Sequence, residues 1–183
     1  MKIVLVRHAE VIEEYKGKYN GHIDIALSAN GKLQAKTLAQ KLDSLTFDKI
    51  YCSDLLRARE TLEIFHREEE VIFTHRLREK SWGRDEGKSF EEITVDGREY
   101  QNFMQWIDAL DGEDIQSYIE NLQEYFNETI LKEKCDTVLV VTHAGVIKTL
   151  LHFKEKISIE EAFSHSLPYS SFVTMELSQE FMF

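Results

Sequence analysis

Three short runs in this chain, Ile3-Val4-Leu5-Val6, Ile50-Tyr51-Cys52 and Val138-Leu139-Val140-Val141, are apolar or nearly so at every position. A strand with one wet face alternates apolar and polar residues. Continuous runs this short belong to strands covered on both faces, as in parallel sheets whose crossover connections lay helices over them. Val71-Ile72-Phe73 is a further short candidate, and Phe172-Val173-Thr174-Met175 a later, more alternating one. Between the strands the period changes. After Ser28, a good N-cap residue, Ala35, Leu38, Ala39 and Leu42 fall on the i, i+3, i+4, i+7 spacing of an amphipathic helix. Similar patterns predict a helix over 54–65, two across 103–131, and one opening near Gly145 and running through Leu150 and Leu151. Strands alternating with helices predict an α/β fold, a three-layer α/β/α sandwich around a mostly parallel central sheet.

Composition narrows the function. At 183 residues, with one proline, Pro168, and glycines spread thinly, the chain reads as one domain over 1–183. Its 22 Lys and Arg against 33 Asp and Glu leave a net charge of −11, which argues against nucleic acid, whose affinity comes from neutralised phosphates. No apolar run approaches the roughly 18 residues of a membrane span, and Ile3 to Val6 leads straight into Arg7 and His8, so neither membrane nor signal peptide is expected. Cys52 and Cys135 form no CxxC pair and fit a reducing compartment, with the cytoplasm as the expected location. The charge runs 67–70 and 132–134 read as solvated. A small anionic substrate would need a local positive pocket in so acidic a chain.

Two segments look alike: Leu5-Val6-Arg7-His8-Ala9 and Val140-Val141-Thr142-His143-Ala144. Each is an apolar strand ending in His-Ala. Ligands of open α/β sheets bind beyond the carboxyl ends of the strands, so both histidines are expected to face one crevice. The arginine fork suits phosphate oxygens, and a neutral imidazole can attack phosphorus and hold it covalently. The helix opening at Ala144-Gly145 would add free backbone amides to an anion cradle. Arg57 opens another helix just after the strand ending at Cys52 and is a second candidate for the phosphate, whereas Arg59 is expected at the surface. A leaving alkoxide needs a proton, which a carboxyl group in a dry, anionic site can supply. Glu79, in Leu77-Arg78-Glu79, is the candidate, although spacing alone does not distinguish it from a surface glutamate.

These segments together resemble the histidine phosphatase superfamily, also called the phosphoglycerate mutase-like family. Arg7-His8-Ala9 resembles its Arg-His-Gly hallmark, and Leu27-Ser28-x-x-Gly31 its Leu-Thr-x-x-Gly helix start. Ser53-Asp54-Leu55-x-Arg57-Ala58, Leu77-x-Glu79 with Gly83-x-x-Glu86-Gly87, and Thr142-His143-Ala144-Gly145 complete five ordered motifs covering most of the chain. The resemblance implies a phosphoglycerate mutase-like sandwich and a phosphatase for a small phosphorylated metabolite, using neither metal nor cofactor. It implies His8 as the phosphate-accepting nucleophile, Arg7, Arg57 and a protonated His143 around the phosphate, and Glu79 as acid, then base. Gly21-His22 and Cys52-Ser53 are similar to the α-ribazole phosphatase branch. The segment 80–131 is expected to lid or flank the pocket, its aromatics Trp106, Tyr118, Tyr125 and Phe126 being core first and a stacking platform second.

The chain departs from the family pattern. Ala9 replaces glycine, Val11 a common threonine, Asp85 a frequent aromatic, and Glu14 stands where many relatives place a phosphate-contacting asparagine. Either Glu14 turns away and Asn20 supplies the amide, or the pocket is weaker. Two rivals stay open: a mutase, disfavoured because only 64 positions separate Glu79 from His143 where mutases carry a longer insertion, and a non-catalytic phosphate-binding module. A metallohydrolase finds no HExxH spacing. The sequence leaves a homodimer open.

Overall fold

Five strands form one sheet in the order β3-β2-β4-β1-β5. They are β1 (Lys2–Arg7), β2 (Lys49–Ser53), β3 (Val71–Thr74), β4 (Thr137–Thr142) and β5 (Phe172–Glu176). β1, β4, β2 and β3 run parallel, and β5 is antiparallel to β1. The computed structural model describes residues 1–94 and 102–177, with helices α1 (Ala29–Leu42), α2 (Leu56–Glu63), α3 (Phe90–Thr94), α4 (Phe103–Ala109), α5 (Ile115–Glu128), α6 (Ala144–Glu155) and α7 (Ile159–Ser164). None of the described helices is long and apolar enough to cross a membrane.

The continuous apolar runs are explained by which way each side chain points, since successive strand residues face opposite sides. Ile3, Leu5, Val138 and Val140 pack with α5 and α6, through residues such as Leu122, Phe126, Ile147 and Leu150. Val4, Val6, Leu139 and Val141 pack on the other face with Ala35, Leu38 and Leu42 of α1 and Ala58 and Leu62 of α2. Both faces are therefore dry, and the mostly parallel sandwich read from the sequence is the observed one. β3 differs: as an edge strand it is only partly covered, and Phe73 is 52% exposed.

The strand and helix ends that carry the site are fixed locally. Ser28 caps α1 by accepting from the Gly31 amide at 2.8 Å, and its hydroxyl donates to Glu10 at 2.9 Å. A Cβ on Gly31 would lie 2.0 Å from the Glu10 carbonyl oxygen, so only glycine lets α1 pack this closely against the segment after His8. Within 80–131, the turn at Gly83 meets the turn at Gly112, both at positive φ, with a Gly83 Cβ position 2.7 Å from the Gly112 nitrogen. Asp85, fully buried, holds that junction by accepting from Lys88 at 3.2 Å and from the Asp111 amide at 3.3 Å. Trp106, Tyr118, Tyr125 and Phe126 are all buried in the core, the first of the two roles expected of them. The helices α3 and α7 were not among the expected elements. α2 is shorter than its predicted span of 54–65: Leu55, its N-cap, is still extended, and the helix ends at Glu63.

Candidate active site

Because β1 and β4 are parallel neighbours in the register Arg7 to Thr142, the residue after each emerges at the same sheet edge. Those residues are His8 and His143, whose ring centroids stand 5.2 Å apart. The His8 amide also donates to the Thr142 carbonyl at 2.9 Å, extending the ladder by one rung. The two rings thus come together at one sheet edge, but only His8 lines the cleft there, His143 being fully buried beside it. Nδ1 of His8 lies 2.8 Å from the Ala9 carbonyl, which can only accept, so Nδ1 carries the proton. Nε2 of the neutral ring is left with its lone pair. Burial first, then the charges of Arg57 and Arg7, hold the His8 pKa well below 6.5.

His143 is fully buried, with Nε2 2.8 Å from the Ser53 hydroxyl and Nδ1 without a hydrogen-bond partner. Burial, followed by the charges of Arg57, His8 and Arg7, also holds its pKa well below 6.5. In the free site, complete burial and the two guanidiniums thus oppose the positive charge expected of this ring.

Arg57, in the first turn of α2, is 1% exposed and donates to the carbonyls of Gly21 at 2.7 Å and Ile23 at 2.8 Å. Burial lowers its pKa to about 10, which still leaves it charged at neutral pH. Arg7 ends β1, donates to the Leu167 carbonyl and lies with its guanidinium carbon 4.1 Å from the centre of the Tyr169 ring. The Ser170 amide donates to the His8 carbonyl at 3.2 Å, so the loop before β5 clamps the Arg7-His8 pair from behind. From the other side, Thr61 on α2 accepts from the Ala9 amide at 2.9 Å and donates to the Arg57 carbonyl at 2.7 Å. Arg59 is exposed, as expected.

Glu79 reaches the N-terminus of α6. One carboxylate oxygen accepts from the Gly145 amide at 3.1 Å and the other from the Lys80 amide at 3.0 Å. A Cβ on Gly145 would lie 2.0 Å from that carboxylate, so the glycine is what admits Glu79 to the helix end. The Glu79 carbonyl is held by the His22 imidazole at 2.9 Å.

Arg7, His8, Asn20, Arg57, Glu79 and Ala144 all line one open cleft, with His143 packed against His8. Asn20 donates one amide hydrogen to the Tyr15 carbonyl at 2.8 Å. Glu14 is exposed and lies outside the cleft lining, whereas Asn20 lies in it. Trp82, the ring that the sequence offers near Asp85 in place of the family's frequent aromatic, lines the cleft, as do Lys18, Lys148 and Tyr169, which were not foreseen as site residues. Lys148 could have been noticed four residues after Ala144, on the same side of the predicted helix. Among the described residues no group of three or more His, Cys, Asp or Glu is placed to hold a metal ion. What the arrangement offers chemically is an unprotonated imidazole nitrogen, two fixed guanidiniums, a helix N-terminus and one carboxyl group.

The family model described as histidine phosphatase superfamily (branch 1) matches residues 3–181. Adenosylcobalamin/alpha-ribazole phosphatase of Salmonella typhimurium is 30% identical over 157 residues, covering 82% of this chain and 78% of the relative. Phosphoserine phosphatase 1 of Hydrogenobacter thermophilus is 33% identical over 158 residues, covering 82% and 74%. The crystal structure of the alpha-ribazole phosphatase from Shigella flexneri shares the fold at a TM-score of 0.85 and 24% identity, covering 99% of this chain and 93% of that one.

Proposed function

The chain belongs to the histidine phosphatase superfamily, and on that premise we propose that it hydrolyses a small phosphomonoester through a phosphohistidine formed on His8, without a metal ion. The observation that carries this reading is the His8 tautomer: Nδ1 is committed to the Ala9 carbonyl, leaving Nε2 as a lone-pair nucleophile in a cleft lined by Arg7, Arg57 and Glu79. In the first step Nε2 bonds to phosphorus and the ester P–O bond breaks. The departing oxygen keeps the electron pair and takes a proton from Glu79, while the guanidiniums stabilise the equatorial oxygens. In the second step Glu79, now a carboxylate, takes a proton from water. The hydroxide bonds to phosphorus, the P–N bond breaks and inorganic phosphate leaves.

Neutral His143 gains a reason to bind a proton once a dianionic phosphoryl group sits beside it, because an adjacent negative charge favours the imidazolium. Asn20 and the amide of Ala144 complete the cradle for the oxygens. Of the described residues of the segment 80–131, Trp82 flanks the cleft, within a single 1–183 domain; residues 95–101 of that segment lie outside the described residues. The reading is tested by hydrolysis of p-nitrophenyl phosphate in excess EDTA. The wild type is expected to keep full turnover, and Glu79→Gln to lose about 10²- to 10⁴-fold in kcat for an alkyl phosphate, whose alkoxide needs the proton. Loss of wild-type activity in EDTA, or a Glu79→Gln variant as fast as wild type, would refute it.

A further inference from the structure

Resting on the phosphatase reading, we infer that Glu86 and His22 are positioning residues for the general acid, holding the backbone of Glu79 in register with Arg57 from outside the cleft. Glu86 belongs to the Gly83-x-x-Glu86-Gly87 motif and His22 to the Gly21-His22 pair, and neither lines the cleft. Oε1 of Glu86 accepts from the His22 amide at 2.9 Å, the Ser81 hydroxyl at 3.1 Å and the Trp82 amide at 3.1 Å. One carboxylate oxygen thereby ties the loop at His22 to the segment just after Glu79. The His22 ring returns to the same segment. Because the Glu79 carbonyl can only accept, Nε2 of His22 carries a hydrogen and donates to it across 2.9 Å. Glu86 thus grips His22 by its amide, and His22 grips Glu79 with its ring.

The same loop holds Arg57. The carbonyls of Gly21 and Ile23, on either side of His22, accept from its guanidinium at 2.7 Å and 2.8 Å. The guanidinium and the carboxyl group therefore share one short frame, Gly21 to Ile23, which fixes where each stands relative to the other. That frame is tightly packed. A Cβ on Gly21 would lie 2.2 Å from Oε1 of Glu86 and 3.0 Å from the Trp82 ring, and Gly21 sits at a φ of +45°. Behind Glu86, the Gly87 amide donates to the Tyr19 carbonyl and the Tyr19 amide to the Lys88 carbonyl, each at 2.9 Å, so the motif is stitched to the residues leading into the frame. Hydrogen bonds to a carboxylate are charge-assisted and roughly twice as strong as neutral ones. Stiffness of this kind matters at a general acid, because a displacement of about 1 Å can cost about 10²-fold in rate.

The test uses the full chain and two aryl phosphates of similar shape: phenyl phosphate, whose leaving oxygen needs the proton, and p-nitrophenyl phosphate, whose phenolate departs readily without it. kcat/KM is read because it covers only the steps up to departure of the alcohol, before water attacks. Glu79→Gln sets the benchmark: its loss on phenyl phosphate should exceed its loss on p-nitrophenyl phosphate by about tenfold or more. H22F, which removes the donor to Glu79, and E86A should show the same bias, with losses of about 10- to 100-fold on phenyl phosphate. H22Q and E86Q, which keep an amide donor and an acceptor oxygen at those positions, should recover most of it. In the Glu79→Gln background H22F should add little, because the group it positions is already gone. Equal losses on the two esters in H22F, or an H22F loss that adds in full to that of Glu79→Gln, would make the pair a general support of the fold and overturn the inference. His22 is exposed, so H22F decides the matter even where E86A folds poorly. A leaving-group bias in Glu79→Gln alone sinks only the inference, whereas no bias in Glu79→Gln removes the acid from the phosphatase reading and the inference with it.

Discussion

Replacing His8 by alanine is expected to lower phosphomonoester turnover by at least about 10⁴-fold, because the substitution deletes the atom that bonds to phosphorus. The charges that would stabilise the transition state, Arg7 and Arg57, stay in place, so substrate or inorganic phosphate should still bind. The expected signature is therefore a collapse of kcat with binding preserved. Folding should be little affected, since the ring makes a single hydrogen bond, to the adjacent Ala9 carbonyl. The pH profile of the wild type carries the same information. Burial and the two guanidiniums favour the neutral imidazole, so the nucleophile remains available as pH falls through 6.5, the ordinary histidine value. An acid limb in kcat/KM attributable to His8 should lie below that value. A His8→Ala variant within tenfold of wild type would contradict the assignment.

Arg57→Met is expected to cost about 10³- to 10⁵-fold in kcat/KM, the range for losing a guanidinium that stabilises a transferring phosphoryl group. Its effect on stability should be far smaller. Arg57 is a buried cation, 1% exposed, held by two backbone carbonyls and, among the described residues, not within ion-pair distance of any carboxylate. Taking such a charge out of the interior removes a desolvation penalty, which offsets the two carbonyls left unpaired. Methionine keeps much of the packing volume, so a stability change within about 2 kcal/mol by urea denaturation is expected. Arg57→Lys should rescue little, because a point charge on a flexible stem does not reproduce the fork that spans Gly21, Ile23 and the substrate. A variant that unfolds yet retains specific activity in its folded fraction would make Arg57 structural.

The sheet and the pair of histidines were legible because the runs Ile3–Val6 and Val138–Val141 announce strands dry on both faces, and each ends in His-Ala. Parallel pairing then leaves the two rings no choice but to emerge together. Ser28 and the period of α1 were equally plain. The short α7 was not: of its six residues only Ala162 is buried, too little for any period to show. Tyr169 reaches the site from a loop, through contacts with Arg7 that no local pattern encodes. Lys148 sits among the apolar residues of the first turns of α6, and only the packing of α6 against α7 shows that it lines a cleft instead of facing water. The charge state of His143 was hidden for a related reason. It depends on burial and on guanidiniums brought in from two other elements, neither of which its own segment contains.

The central claim is a covalent bond between His8 and phosphorus. Rapid quenching of the wild type in alkali during turnover of a ³²P-labelled phosphomonoester, followed by peptide mapping, tests it most directly. Label stable to alkali, labile to acid and carried by the peptide containing His8 is the predicted result, with none in His8→Ala. Turnover with no protein-bound phosphate at any quench time down to a single catalytic cycle, or label on a peptide lacking His8, would contradict it.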